Sequence, residues 1–258
     1  GDYSCHLPQN YEGAIYQVFS SVEQLATMLQ SKNETERKAK EFLKDTISDI
    51  SHQLKTPLAA LAMYQEIIES EPENAETVKQ FAAKMGISLK RMEQLILSML
   101  KITRLDTGNI IFEKKSCRVS ELIAHSVNEL TARAKNENKQ IQIDGGGEQK
   151  LICDMEWTGE AIGNIVKNAL DHTQVGGIVR ITWNRAPAMF QIFISDNGSG
   201  IAPEDIHHIF KRFYRSKHSI DTQGIGLGLP LAKSIIEGQG GVISVQSESG
   251  KGTLFTLS

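Results

Sequence analysis

Cysteine is scarce in this chain: Cys5, Cys117 and Cys153 are the three in 258 residues. Their spacing matches no metal-ligand pattern and supplies no disulfide framework, which excludes a stapled secreted domain and fits a reducing compartment. The seven histidines form neither an H-x-x-x-H nor an H-E-x-x-H arrangement, so a metallohydrolase signature is missing. His207 and His208 are adjacent and read as surface. No apolar run reaches the ~18 residues that a spanning helix needs, and no signal peptide is present. Neither sign of charge dominates: 28 Lys and Arg face 31 Asp and Glu, a net charge of −3. Nothing therefore calls for nucleic acid or an anionic membrane surface as a partner. What remains, 40% hydrophobic and 23% charged residues, is ordinary globular composition, long enough for one large domain or two ordinary ones. The opening Gly1-Asp2 has no methionine and reads as the start of a piece cut from a longer chain.

From about Tyr11 to Ile102 the sequence is helical in character and nearly free of breakers. Ile15, Val18, Val22, Leu25 and Leu29 follow three-four spacing. Further on, Leu43, Ile47, Ile50, Leu54, Pro57, Leu61, Tyr64 and Ile68 form one apolar stripe. His52 lies roughly 200° past Ile50 at about 100° per residue, on the wet face. Pro57 has no N–H for the carbonyl of Gln53 and should bend or loosen the helix just past the imidazole. A histidine on a solvated helix face is ordinarily a plain surface residue; beside such a proline it becomes a candidate for chemistry done to the ring. Glu71-Pro72-Glu73-Asn74 then makes a turn. A second helix carries Val78, Phe81, Met85, Met92, Leu95, Met99 and Ile102 in heptad a/d positions, with Ser88 as the polar member of the seam. The methionines are core filling. A hairpin of this kind cannot bury two apolar stripes alone, so pairing with a second copy into a four-helix bundle is expected. Packing on the rest of the same chain is the other solution.

Arg104-Leu-Asp-Thr-Gly108 stops the helix, and a domain boundary is expected between Arg104 and Asn109. The expected order is 1–40 as a helical linker, 41–106 as the hairpin and 107–258 as a second domain. In the second domain the patterns predict a strand at Ile110–Phe112, a helix over Val119–Lys135, a strand at Lys139–Ile143 and a flexible turn at Gly145-Gly-Gly147. A helix over Trp157–His172, strands at Gly177–Asn184 and Met189–Ser195, a helix over Leu229–Glu237 and strands at Gly241–Gln246 and Thr253–Leu257 follow. The fold class is an all-α hairpin followed by an α+β two-layer sandwich.

Three segments of the second domain carry chemistry together. Asn164 and Asn168 share a helix face with Glu160 one turn earlier, and an amide oxygen is a neutral hard ligand that suits magnesium. Asp196-Asn-Gly-Ser-Gly200 follows a strand: Asp196 is a fixed acceptor, and Gly198 and Gly200 leave room for a flat ring or a phosphate to approach the backbone. Gly224, Gly226 and Gly228 enter a helix whose first N–H groups can hold phosphate. No G-x-x-x-x-G-K-[ST] occurs, and the parallel βαβ setting of a dinucleotide fold is missing. Between the last two segments, Ile209-Phe-Lys-Arg-Phe-Tyr-Arg215-Ser-Lys217-His218 mixes aromatic anchors with cations that can face phosphates, and Ser216–Gln223 reads as a mobile lid.

Taken in order, these segments resemble the catalytic half of bacterial sensor histidine kinases. Ser51-His-Gln-Leu-Lys-Thr-Pro-Leu58 looks like the family's H-box, Asn164–Thr173 its N-box, Asp196–Gly200 its G1 box, Ile209–Tyr214 its F-box and Gly224–Gly228 its G2 box. Gly250-Lys-Gly-Thr253 matches its closing glycine-rich strand. The resemblance covers roughly Lys40 to the C-terminus. It implies a dimerisation and phosphotransfer hairpin, then a Bergerat-type ATP-binding domain of the kind shared with gyrase and MutL. ATP and Mg²⁺ are the implied cofactors, and a homodimer and a response-regulator receiver domain the implied partners. Membrane attachment would come only through an N-terminal sensing region outside this chain. By position, His52 would be the phosphoryl acceptor, Asp196 would take the adenine amino group, Asn168 would hold Mg²⁺, and Arg215 would reach the terminal phosphate. Asn164 stands where ATP-hydrolysing relatives keep a glutamate base. An amide cannot deprotonate water, which favours transfer over hydrolysis. Thr56 would position a water for phosphatase activity on the regulator.

Two positions depart from the family pattern. The residue after the histidine is usually acidic; here it is Gln53, which cannot act as a base. Asp49, three residues before His52 and on the same face, could orient the ring through Nδ1. Asp171 stands where a phosphate-contacting lysine is common, and Lys167 or Lys217 could substitute. These departures leave a second reading open, a degenerate kinase that binds nucleotide and acts as scaffold or phosphatase. A gyrase-type ATP-hydrolysing machine is a third, disfavoured by Asn164.

Overall fold

A computed structural model describes residues 14–108, 110–146, 148–186, 189–216 and 224–258, apart from the side chains of 14–16, 38, 39, 42, 43 and 45. The chain divides into two compact units, residues 1–88 and 89–258.

The first unit is built from helix α1 (Ala14–Ser70) and the beginning of α2 (Ala75–Asp106). Glu71 and Pro72 end α1, and Asn74 starts α2. The Asn74 side chain accepts from the Thr77 amide at 3.2 Å and donates to Glu71 at 3.1 Å, an N-cap of the ordinary kind. Ile50, Leu54, Pro57, Leu61, Tyr64 and Ile68 are half-buried, and Tyr64 packs on Phe81 with ring centroids 5.6 Å apart. Leu43 lies outside the described side chains. Ile47, on the same stripe, is 55% exposed, and Leu58 is 61% exposed. The helix runs on through Pro57.

In the second unit a five-stranded mixed sheet has the order β2-β4-β5-β7-β6, with β2 (Gln140–Gly145), β4 (Ile178–Arg185), β5 (Phe190–Asp196), β6 (Ile243–Glu248) and β7 (Gly252–Leu257). β2 runs parallel to β4; the other pairings are antiparallel. Period-two alternation sends Val179, Ile181 and Trp183 of β4, Ile192 and Ile194 of β5 and Phe255 and Leu257 of β7 to one face, where all are buried. Three helices form the other side of that core: α3 (Val119–Asn136), α4 (Met155–His172) and α6 (Gly228–Gly238), with α5 (Pro203–Ile206) a single turn between β5 and α6. α4 lies between α3 and α6 and packs on both. It buries Ala161, Ile162, Ile165, Val166, Ala169 and Leu170. Asp154 caps it by accepting from the Trp157 amide at 3.2 Å.

The remaining two strands, β1 (Lys115–Arg118) and β3 (Lys150–Cys153), form a separate antiparallel ladder. This corrects the expectation of a strand at Ile110–Phe112. Ile111 is 91% exposed there, and Phe112 packs edge-on against Trp157 at 6.1 Å. Apolar character at 110–112 serves a side-chain anchor, while the polar Lys-Ser-Cys-Arg run is the segment that pairs. Gly145 is likewise no loose turn. It is the last residue of β2, and a Cβ there would fall 1.9 Å from the Trp183 ring. Gly147 lies outside the described residues.

Candidate active site

α4 projects Glu160, Asn164, Asn168 and Asp171 along one edge. Asn164 donates to the Glu160 carbonyl at 3.0 Å, keeping its Oδ1 free of that bond. Gly228 at the start of α6 comes close to this amide: a Cβ would sit 3.1 Å from Asn164 Oδ1. Between α4, the end of α2 and the 224–230 segment lies a cavity of about 320 Å³ lined by Asn164, Lys167, Asn168, Gly224, Gly226 and Gly228 among others. A second cavity of about 400 Å³ adjoins it and is lined by Asn168, Asp196, Gly200, Arg215 and Thr253. The two share Asn168, Asp171, Tyr214, Gly224 and Gly226 among others and are lobes of one cleft.

Asp196 ends β5 at the floor of the second lobe. It accepts from the Gly198 amide at 2.9 Å and faces Thr253 across the β5–β7 ladder. Burial pushes its carboxyl up from the ordinary value, while the Gly198 and Thr253 amides and nearby His172 pull the other way. Thr253 is buried, with Oγ1 3.1 Å from Ser247 Oγ. Ser247 in turn accepts from the Ile201 amide at 2.8 Å. The acceptor is thus held rigidly, with its environment set by hydrogen bonds from neighbouring strands.

The G1 glycines also let neighbouring backbone approach closely. A Cβ at Gly198 would meet the His172 carbonyl oxygen at 2.3 Å, and one at Gly200, whose φ is +67°, would meet the Glu248 carbonyl oxygen at 2.1 Å. The loop after β5 crosses the C-terminus of α4 on one side and the β6–β7 turn on the other, tied by Ser199 N–H to the His172 carbonyl and Gly250 N–H to the Ser199 carbonyl. Backbone thus occupies the Cβ side of both glycines. Gly200 still lines the cleft; Gly198 does not. Gly226, at φ +75°, has its Cβ space closed by Phe213 and Tyr214. Gly224 has nothing within 4 Å and is the open one of the three.

The basic segment is divided. Arg212 pairs with Asp106 at the end of α2 instead of turning to the cleft, whereas Arg215 lines the second lobe. Lys217 and all of the expected lid Ser216–Gln223 after Ser216 lie outside the described residues. Asp171 is bridged by Arg133 at 2.6 Å, and Arg133 also holds Glu137 at 2.6 Å. The odd carboxylate at the cleft edge is therefore neutralised from α3. Lys167 lies on the exposed edge of the first lobe. Two cleft groups escaped the sequence reading. His172 was passed over as the helix end, although it faces Asp196. Tyr214 donates its hydroxyl to the buried Asp205, a pairing across a loop that no periodicity encodes.

In the first unit, His52 is exposed on α1, as are Asp49 and Thr56, with Gln53 half-buried. Thr56 Oγ1 donates back to the His52 carbonyl at a long 3.4 Å. No hydrogen bond joins Asp49 to the imidazole, so the expected ring-orienting contact is not made.

Comparison with known proteins agrees with this geometry. The family model for the histidine kinase A phospho-acceptor domain matches residues 42–108, and that for the histidine kinase-, DNA gyrase B- and HSP90-like ATPase matches 153–258. The sensor-like histidine kinase SenX3 of Mycobacterium tuberculosis is 30% identical over 216 residues, 83% of this chain and 53% of its own length. The sensor protein SrrB of Staphylococcus aureus is 30% identical over 217 residues, 83% of this chain and 37% of its own. The chain thus spans about half of the first relative and less of the second. Histidine kinase ThkA, solved in complex with the response regulator protein TrrA, shares the fold at a TM-score of 0.69 and 21% identity, covering 88% of this chain and 65% of that one. The chain is a catalytic portion of the two-component histidine kinase family, a phospho-acceptor hairpin followed by an ATPase domain of the histidine kinase, gyrase B and HSP90 type.

Proposed function

We propose that this chain transfers the γ-phosphoryl group of ATP to His52 and then to an aspartate of a response regulator. The observation that carries the reading is the two-lobed cleft of the second unit, where Asn164 and Asn168 line one lobe and Asn168 and the half-buried Asp196 the other. Asp196 accepts the exocyclic amine of adenine, with the Thr253 and Gly200 backbone beside it. Arg215 meets the terminal phosphate, and Lys167 on the rim adds positive charge. Among the described residues Asn168 has no hydrogen-bond partner for its amide, so its oxygen is available as the one neutral protein ligand to Mg²⁺; bound there, the ion neutralises phosphate charge.

At His52, the neutral imidazole attacks in line through Nε2, and positioning with charge stabilisation does most of the work. Gln53 offers no base. Because the ring is water-exposed, its proton can leave to solvent. Asn164 cannot deprotonate a water, which holds back hydrolysis in the cleft. Thr56, one turn beyond, orients a water for dephosphorylation of the regulator. The apolar residues uncovered on the hairpin, Ile47, Leu58, Met63 and Ile87, each more than half exposed in one copy, call for a second copy, so the chain acts as a homodimer. No helix among the described residues is long and apolar enough to cross a membrane.

Incubation with γ-labelled ATP and Mg²⁺ tests the reading. Wild type is expected to take up acid-labile label, His52→Gln none, and Asp196→Asn at most about a tenth, for the loss of a hydrogen bond to a charged group worth ~1.5–3 kcal/mol. Tight nucleotide binding without label on wild type would establish the scaffold reading instead. Label on His52→Gln would move the acceptor elsewhere.

A further inference from the structure

Cys117 and Cys153 are 36 residues apart in sequence, yet their Sγ atoms lie 3.5 Å from each other. The register of the β1–β3 ladder explains why. Lys115 faces Cys153 and Cys117 faces Leu151. Because alternate residues share a face, Cys117 and Cys153 are diagonal neighbours on the same side. Cys117 is half-buried and Cys153 is buried. Among the described residues no group of three His, Cys, Asp or Glu could hold a metal ion.

We propose that Cys117 and Cys153 are an oxidation site for hydrogen peroxide, closing to an intramolecular disulfide at the root of α4. The Cys117 sulfur, as thiolate, attacks one peroxide oxygen; the O–O bond breaks, hydroxide leaves and takes a proton to become water, and Cys117 becomes a sulfenic acid. The Cys153 sulfur then attacks Cys117. The S–S bond forms, the S–O bond breaks, and the hydroxyl leaves as water with the Cys153 proton. Two thiols and one peroxide thus give one disulfide and two waters. The sulfur atoms close from 3.5 Å to a bonded ~2.05 Å, a short movement for two side chains on one ladder. The order of attack follows from the surroundings. Cys117 is the thiol an oxidant can reach. Burial pushes the Cys153 thiol up to about 12, leaving it a poor first nucleophile but one already in place to resolve its neighbour. Cys153 immediately precedes Asp154, the cap of α4, so the bond forms next to the helix that carries Asn164 and Asn168. This inference stands whether or not His52 is the acceptor.

The test uses the full chain with Cys5→Ser, a position outside the described residues. The protein is treated with hydrogen peroxide, unfolded, alkylated and mapped by peptide mass. Both thiols are expected to lose alkylation together, with one cross-linked peptide pair joining Cys117 and Cys153 and full recovery after dithiothreitol. Adding Cys153→Ser is expected to leave a dimedone-reactive sulfenic acid at Cys117, and adding Cys117→Ser to leave Cys153 alkylatable after the same exposure. Retention of both thiols, over-oxidation of Cys117 without a cross-link, or a bond formed only between copies, seen as a doubled covalent mass, overturns the proposal.

Discussion

Asp196 carries a cost that its position explains. It lies half-buried at the end of β5, and burial, the largest influence on its carboxyl, raises its pKa above the ordinary value. Its folded-state pKa therefore exceeds its unfolded one, and the folded protein prefers the protonated acid. That preference favours folding below the unfolded carboxylate range and is lost as pH rises through the folded pKa. Asp196→Asn removes the titration. Thermal melts at a series of pH values should show the variant gaining on wild type as pH rises through the carboxylate range, then holding a constant difference at neutral pH. Parallel profiles would mean that the carboxyl is not perturbed. Nucleotide affinity should change in the opposite sense, because the charged acceptor that weakens folding is the group proposed to bind adenine. Other residues are more plainly structural. Gly252 (φ +103°) leaves only 2.0 Å between a would-be Cβ and the Asp196 carbonyl oxygen, so the strand pair that holds Asp196 depends on that glycine.

Among the elements, α4 organises the second unit, and Asp154 anchors it. One Asp154 oxygen accepts from the Trp157 amide at 3.2 Å and the other from the Glu113 amide at 2.9 Å, while its own amide donates to Gln239 at 2.8 Å. Asp154→Ala removes the cap, ~1 kcal/mol, and leaves the Glu113 N–H unpaired, ~1–3 kcal/mol. The expected loss is ~2–4 kcal/mol, read as a melting temperature lower by roughly 5–15 °C for a unit of this size. Asp154→Asn, which keeps an acceptor, should lose less than half as much; equal losses would show that the cap geometry is not what matters. How far the elements could be read from sequence follows the same physics. α3, α4 and α6 declare themselves by apolar spacing and β4 and β5 by alternation, because each buries one face against the core. β1 and β3 do not. Lys115-Ser-Cys-Arg118 has no alternation and is mostly exposed, and it is a strand only because another segment pairs with it. The meeting of Cys117 and Cys153 was hidden for the same reason, since a register between distant polar strands leaves no local trace. Asn164, Asn168, Asp196 and Gly224, which the motifs single out, all line the cleft. The backbone crossings that Gly198 and Gly200 permit are long-range and leave no local trace in the sequence.

For the molecule as a whole, the proposed function divides between two units: a helical hairpin that displays an exposed imidazole, and an α+β layer whose cleft is proposed to hold the nucleotide. The most direct measurement is the intact mass of the protein after incubation with ATP and Mg²⁺, followed by fragmentation under neutral conditions to locate any added group. The expected result is a gain of one phosphoryl group on the segment Ser51–Thr56, carried by His52, lost in acid and kept in alkali. A phosphoryl group found on any other residue, or an unchanged mass while ATP is hydrolysed, would contradict it.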